Sequence, residues 1–324
     1  MDESQLLILT NSRDLTVDRL IRRIGVDSVF RFNFDTWEEY SFGWDSNGFW
    51  IKNPTGRSVA QREIAKCLWR KPLSRFRLDG IPPGSVTEVR RYIEAELHAF
   101  LEDVKNALWR AGRIVLIEPD SWSRAGKFLQ LDVAKDFFRV PPFAFCYPLS
   151  ENRCLQDQQV VVKSISGERV MGNKGLWTTA VDSAALDPRT PWFMQQLVKA
   201  SQDITVAFVV DEAFAFALDR SQFEDRTLDW REAGKEMVRQ WYPFPLPEPM
   251  SVAIRGFMQA LGLHYGRLDF LLDGDDWHFL EVNANGEWDW LDPDKGRGPF
   301  DRILRVVDPA QPLVPIPVRW IAPV

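Results

Sequence analysis

The stretch from Gly266 to Trp288, GRLDFLLDGDDWHFLEVNANGEW, constrains the fold more than any other part of this chain. Two apolar runs flank an Asp-Gly pair, and Asp-Gly between hydrophobic segments is a strong signal for a tight β-hairpin. Side chains alternate across a strand, so Phe279, Glu281 and Asn283 are expected on one face, with Leu280 and Val282 on the other. Asp269 falls on the preceding strand, where it can meet Glu281 and Asn283 across the hairpin. An all-oxygen cluster of this kind is what Mg²⁺ prefers. The plainer alternative is a charged outer face on an edge hairpin. Strands this apolar rarely place an acid and an amide together without a use for them.

The rest of the composition sets limits. A chain of 324 residues can bury a large core, and its length implies two or three subdomains. With 45% hydrophobic and 27% charged residues it has the make-up of an ordinary globular protein. The net charge of -6 and the lack of a dense basic run argue against a nucleic-acid partner. Cys67, Cys146 and Cys154 have neither a zinc spacing nor an even count, so they are expected to be packing residues in a reducing cytoplasm. Acids precede the short run Leu6 to Leu9, which does not suit a signal peptide. No apolar run approaches the roughly 20 residues of a membrane span, so no membrane partner is expected. Tryptophan is unusually frequent, at 14 residues, enough both to enlarge the core and to line a groove for a peptide.

Along the chain, Leu6–Leu9 and Val29–Phe34 read as strands around an amphipathic helix at Asp14–Ile24, an α/β opening. Phe42–Ile51 reads as a hairpin around Asp45-Ser46-Asn47-Gly48. Ala65–Pro72 reads as a strand leading into a loop. Apolar residues at helical spacing predict a long helix over Val86–Leu108 and a second over Lys127–Phe137. Val160-Val161-Val162-Lys163 is a strand that opens into a polar loop, 164–179, carrying Gly167, Gly172, Gly175 and Lys174. Such a loop can fold amides and ammonium groups around phosphates, although it is no Walker A sequence. Two strands, Asp203–Val210 and Ala213–Leu218, precede a rigid proline-rich loop at 243–249. Met250–Leu261 reads as a helix. His98, His264 and His278 have no mutual spacing for a metal or a triad, and alternation puts His278 out of phase with Glu281.

Several of these segments together resemble the ATP-grasp fold, and more narrowly the ATP-grasp ribosomal peptide maturases that make graspetides, the microviridin-type enzymes. Leu68-Trp69-Arg70-Lys71-Pro72 resembles that family's Trp-Arg-Arg-Pro segment. Ala125-Gly126-Lys127-Phe128-Leu129-Gln130-Leu131 resembles its lysine helix, and Val161-Val162-Lys163 its second ATP lysine. Phe193-Met194-Gln195-Gln196, continuing through Leu197 and Val198, resembles the hinge that receives adenine. Asp229-Trp230-Arg231 resembles the family's Asp-Trp-Arg, with Arg231 meeting phosphate. Tyr265–Phe270 and Phe279–Trp288 resemble its metal-binding pair of strands. One departure stands out. Where members carry Asp-Leu-Arg after the hinge this chain has Asp203-Ile204-Thr205, so a replacement cation from Arg231, Arg220 or Lys174 is expected.

The resemblance implies an α/β (α+β) ATP-grasp fold in three parts: an N-terminal pre-ATP-grasp α/β domain at 1–117, a central small domain with a glycine-rich lid at 118–190, and a C-terminal antiparallel-sheet domain with the metal site at 191–324. The nucleotide would bind between the last two. ATP would be held by Lys127, Lys163, Lys174, Gln195, Gln196, Leu197, Val198 and Arg231, and Mg²⁺ by Asp269, Glu281 and Asn283. Lys163 and Arg231 would be catalytic. The implied activity is ATP-dependent macrocyclisation of a ribosomal precursor peptide with leader and core. Asp or Glu side chains would be activated as acyl phosphates and joined to Thr or Ser hydroxyls or Lys amines, in a cytoplasmic homodimer. Two alternatives stand beside it: an ATP-grasp carboxylate-amine ligase joining separate molecules, and a catalytically weakened ATP-grasp scaffold that binds a peptide or nucleotide.

Overall fold

The computed structural model describes residues 5–70, 87–151, 154–165, 169–170, 174–175, 178–222, 235–291 and 298–313; of 169–170 and 174–175 it describes the backbone alone. The chain forms two compact units. One comprises Met1–Ser123, Gly262–Tyr265 and Ala284–Val324, the other Arg124–Leu261 and Gly266–Asn283.

The first unit begins as the α/β pattern predicts. Strand β1 (Gln5–Thr10), helix α1 (Leu15–Ile24) and strand β2 (Val29–Asn33) form a parallel crossover. Strands β3 (Ser41–Asp45), β4 (Gly48–Lys52) and β5 (Ser58–Ala60) make a separate antiparallel sheet. Strand β6 (Ile64–Trp69) then pairs parallel to β1 on its other side, which buries every residue of β1. A central parallel strand covered on both faces is apolar throughout, hence the unbroken Leu6–Leu9 run. Helix α2 (Thr87–Arg110) lays Leu97, Leu101, Val104 and Leu108 into the core with Phe30, Phe32, Phe34, Ile51 and Trp69.

A buried polar network crosses this unit. Asp14 caps α1, accepting from the Val17 amide at 3.3 Å, and also accepts from the Thr10 hydroxyl at 2.7 Å and Arg70 Nε at 2.8 Å. The Arg70 and Asp14 side chains keep only 1% and 0% of their surface in solvent. Glu287 completes the group, accepting from Arg70 at 2.6 Å and Thr16 at 2.9 Å. Burial disfavours the Arg70 charge, but Asp14 and Glu287 outweigh it and its pKa is raised. Trp69 is thus a core residue and Arg70 an ion-pair partner.

A short helix α3 (Ser121–Arg124) ends the first stretch of the first unit, and α4 (Lys127–Ala134) follows in the second. Helix α4 ends three residues before the sequence predicts, because the Phe137 and Phe138 amides both turn back to the Ala134 carbonyl, at 3.0 and 2.8 Å. That turn drives Phe138 into an aromatic cluster. Strands β7 (Phe143–Cys146), β8 (Gln159–Lys163), β11 (Thr179–Asp182) and β12 (Trp192–Gln196) form an antiparallel sheet in the order β11-β8-β12-β7. Between β8 and β11, β9 (Arg169–Val170) and β10 (Lys174–Gly175) pair as a small antiparallel ribbon within the glycine-rich loop. A second sheet follows the order β15-β14-β13-β16-β17, built from β13 (Gln202–Val209), β14 (Glu212–Asp219), β15 (Tyr242–Pro243), β16 (Tyr265–Asp273) and β17 (Asp276–Asn283). Helix α5 (Glu248–Ala260) brings Phe257 against Phe138, Phe137 and Phe279, with ring centroids 5.0–6.1 Å apart.

The hairpin of β16 and β17 closes through Gly274 in the left-handed region at φ 59°, as Asp-Gly predicts. Its register departs from strict alternation. Asp269 pairs with Glu281 but Phe270 pairs with Phe279, so the shift leaves Leu280 as an extra residue. A β-bulge reverses the alternation beyond it. Phe279, expected beside Glu281, therefore joins Phe270 in the apolar cluster at 0% exposure. His278, expected out of phase, pairs with Leu271 on the side of Asp269. Burial and the nearby Arg139 lower its pKa against the pull of Asp276 and Asp273.

Gly266 is where the hairpin comes closest to α5. A Cβ there would stand 2.8 Å from Val282 Cγ2 and 2.9 Å from Met258 Cε. Gly266→Ala is expected to destabilise the protein by about 1–3 kcal/mol through overpacking, read as a lowered urea midpoint with unchanged slope; an unchanged midpoint refutes the close fit.

Candidate functional site

Both sheets of the second unit contribute to one constellation. On the five-stranded sheet, Arg267 pairs with Asn283 and Asp269 with Glu281, setting four polar residues on one face of the hairpin. Strand β17 is the edge of this sheet, so its outer backbone groups need partners from elsewhere. The Arg139 carbonyl supplies one, at the Phe279 amide, and Gln130 of α4 supplies those at Val282. Buried at 3% exposure, Gln130 accepts from the Val282 amide at 2.6 Å and donates to the Val282 carbonyl at 3.3 Å and the Ala125 carbonyl at 2.7 Å. Those bonds grip the residue between Glu281 and Asn283 and place the start of α4 beside them. Lys127, the first residue of α4, bonds the Glu281 carboxylate.

On the four-stranded sheet, Phe193 pairs with Lys163 and Gln195 with Val161, so Lys163, Phe193 and Gln195 share a face. Lys163 Nζ donates to Gln195 Oε1 at 3.2 Å. The Lys127 ammonium stands 5.9 Å from the centre of the Phe193 ring. Lys127 thus joins a carboxylate of one sheet to the face of the other. Gln195 is 1% exposed, and its Nε2 has no hydrogen-bond partner among the described residues. A buried donor left unmade costs about 1–3 kcal/mol, which a ligand acceptor would recover. Gln196 follows at the end of β12, its amide bonded to the Pro142 carbonyl at 2.8 Å and its side chain exposed. Leu197 and Val198 run on half-buried without regular structure.

Electrostatics mark the same spot. Burial would push the Glu281 carboxyl up, although 36% of the side chain remains exposed. The ammonium groups of Lys127 and Lys163 and the Arg267 guanidinium outweigh it and hold it down at about 2. The folded value lies below that of an unfolded glutamate, about 4.3. The charge pairing therefore stabilises the fold above that value and is lost as pH falls toward 2. Carboxyl NMR titration of the metal-free protein is expected to find Glu281 near 2, and Lys127→Met to move it upward; an unmoved titration excludes Lys127 as the cause.

Not every expected residue joins the cluster. Arg231, with Asp229 and Trp230, lies outside the described residues, as does the side chain of Lys174, whose backbone sits in β10. Arg220 bonds both oxygens of Asp203, at 3.0 and 2.9 Å. Two contacts were not foreseen from sequence. Arg267 Nε and a terminal nitrogen reach Asp269 at 3.3 and 3.2 Å, and the Thr205 hydroxyl reaches Asp269 Oδ1 at 2.7 Å. Arg267 stands two residues from Asp269 on the same strand face, a spacing that could have flagged it.

The donor set suits a magnesium nucleotide. Among the described residues no group of three or more His, Cys, Asp or Glu gathers as a metal site. Here there are two carboxylates and an amide, and Mg²⁺ commonly takes one or two carboxylates with waters and phosphate oxygens. Lys127 and Lys163 beside Glu281 add the positive charge that a polyphosphate needs.

No family model and no curated protein matches the sequence. Solved structures do. A RiPP-associated ATP-grasp ligase of Chryseobacterium gregarium, in complex with ADP and a leader and core peptide, is 21% identical; the match covers 96% of this chain and 98% of that one, with a TM-score of 0.74. The macrocyclase MdnC of Microcystis aeruginosa MRC, bound with precursor peptide MdnA, is 22% identical over 94% of this chain and 99% of its own, at 0.72. The ATP-grasp ligase PsnB, complexed with a minimal precursor, Mg and ADP, is 14% identical over 93% and 96%, at 0.71. Such likeness over nearly the full length of each chain settles the architecture: this chain has the ATP-grasp fold.

Proposed function

We propose that the protein is an ADP-forming ATP-grasp ligase that closes rings in a ribosomal precursor peptide. The observation that carries this reading is Lys127 bonded to Glu281 and standing over Phe193, so that a helix cation joins the carboxylates of one sheet to the Lys163 face of the other, where a magnesium triphosphate is to be held. The likeness to ligases solved with leader and core peptides supports the choice of substrate.

Activating a carboxylate with ATP brings two anions together, which is unfavourable unless cations screen them. Lys127 and Lys163, with Lys174 and Arg231, neutralise the phosphates in this reading. Gln195, Gln196, Leu197 and Val198 receive adenine. Arg267 faces the phosphoryl group being transferred. Asp269, Glu281 and Asn283 would hold Mg²⁺, which would supply further neutralisation of the phosphate charge. The peptide carboxylate takes the γ-phosphoryl to give an acyl phosphate and ADP. A Thr or Ser hydroxyl, or a Lys amine, then attacks the carbonyl, releasing phosphate and leaving an ω-ester or ω-amide. Glycine-rich residues 164–179 serve as the lid that excludes water from the acyl phosphate. The functional division follows 1–117, 118–190 and 191–324, the protomers pair as a homodimer, and the setting is the cytoplasm.

Incubation with ATP, Mg²⁺ and the short peptide encoded beside the gene is expected to remove one water from that peptide per bond formed, seen by mass spectrometry. A mass gain would instead mean a ligase joining separate molecules. ADP release without any dehydration of the peptide overturns the macrocyclase reading.

A further inference from the structure

Asp269 is held from two sides. Its Oδ1 accepts the Thr205 hydroxyl at 2.7 Å and Arg267 Nε at 3.3 Å, while Oδ2 accepts a terminal Arg267 nitrogen at 3.2 Å. The arginine contacts are long for charge-assisted bonds, and the hydroxyl contact is of ordinary length for O–H···O. Thr205 lies on β13, next to β16 in the sheet, and is 2% exposed. A β-branched side chain is stiff at χ1, so this hydroxyl has a fixed position. It has one proton to give. The Leu268 carbonyl is 3.4 Å away, the carboxylate 2.7 Å, and the proton goes to the carboxylate.

We propose that Thr205 is a positioning residue for magnesium: its hydroxyl fixes the Asp269 carboxylate with Oδ1 turned into the sheet and Oδ2 left as the oxygen with capacity for the metal. This inference rests on the magnesium-nucleotide reading of the site. The physical basis is the division of lone pairs. A carboxylate offers about four lone-pair sites. Two on Oδ1 are taken, against one on Oδ2. A donor behind a ligating carboxylate both orients it and favours its ionised form, and removal of such a partner typically lowers metal affinity 10–100-fold. Arg267 alone does not define the orientation, because a flexible guanidinium can follow a rotating carboxylate. Thr205, on a buried central strand, cannot.

Thr205→Val removes the hydroxyl and keeps the shape, whereas Thr205→Ser keeps the hydroxyl. Calorimetric titration of the full chain with ADP, across a range of Mg²⁺ concentrations and in EDTA, reads the effect without turnover. The Mg²⁺ concentration that half-maximally tightens ADP binding is expected to rise about tenfold or more in the valine variant. In the serine variant it is expected to change by no more than about twofold, with metal-free ADP affinity the same in all three proteins. In an Asp269→Ala background, Thr205→Val is expected to have no further effect, since no side-chain oxygen is left at that position for the hydroxyl to orient. The inference is overturned if valine leaves the Mg²⁺ dependence unchanged, if serine loses as much as valine, or if metal-free binding falls in step. Wild-type protein that binds ADP neither with nor without Mg²⁺ overturns the nucleotide reading itself, and this inference with it. Wild-type protein that responds to Mg²⁺ while the valine variant matches it overturns this inference alone.

Discussion

Glu281→Gln is expected to lower the rate of ADP formation by about 10²-fold or more, since loss of even an outer-shell partner of a metal ligand costs 10–100-fold. The substitution keeps the shape and one acceptor oxygen, but it turns the other oxygen into an amide donor and removes the charge that pairs with Lys127. It leaves a lysine whose side chain is only 11% exposed with no carboxylate bonded to it. Two losses therefore coincide in the proposed reaction: one metal ligand, and the partner that orients a phosphate-binding lysine. The measurement is a coupled ADP assay over a range of Mg²⁺, with thermal unfolding beside it. Retained activity at saturating Mg²⁺ would exclude Glu281 as a ligand. Activity lost in this variant but present in the wild type also excludes the scaffold alternative, because a protein that merely binds peptide or nucleotide forms no ADP to lose.

Asp14→Ala is expected to have the largest effect on folding. Its carboxylate caps α1, takes the Thr10 hydroxyl and neutralises Arg70 at a site with essentially no solvent. Removing one member of a buried ion pair costs about 3–5 kcal/mol, because the remaining charge is left uncompensated. Glu287 still reaches the Arg70 guanidinium and moderates the loss. Asp14→Asn, which can still cap the helix, separates the two contributions: a side-chain cap is worth about 1 kcal/mol. Urea unfolding is followed through the summed fluorescence of the 14 tryptophans, Trp69 in the core next to Arg70 among them. A midpoint close to wild type for both variants would show that the network contributes little.

What the sequence revealed depended on how local the signal was. The βαβ opening, the long helix α2 and the Asp-Gly hairpin all rest on contacts between near neighbours, and their periodicity was readable. The bulge at Leu280 was not, because nothing in Phe279-Leu280-Glu281 distinguishes an extra residue from an ordinary one; only packing of Phe279 against Phe138, Phe257 and Phe270 reveals it. The hairpin pattern supplied Asp269 opposite Glu281, and motif resemblance supplied Lys127 and Lys163, yet neither showed that Lys127 bonds Glu281. Gln130 illustrates the gap. In sequence it is a polar residue on a short helix, and its task becomes visible once β17 proves to be an edge strand. Thr205 looked like the loss of an arginine, whereas the structure shows a hydroxyl bonded to Asp269. Of the cations considered as replacements, Arg220 is bonded to Asp203.

The bond between Lys127 and Glu281 spans 154 positions of the chain, and those of Gln130 to Val282 span 152. Closing loops of that size is entropically costly before any contact rewards it, whereas the β16-β17 ribbon and α4 need only local segments. The nucleotide-binding end is therefore expected to assemble late in folding, after the hairpin and the helix already exist. A chain released from the ribosome would spend its last folding step bringing α4 onto the edge of β17. Ligand that binds the assembled state alone then draws that step forward by mass action.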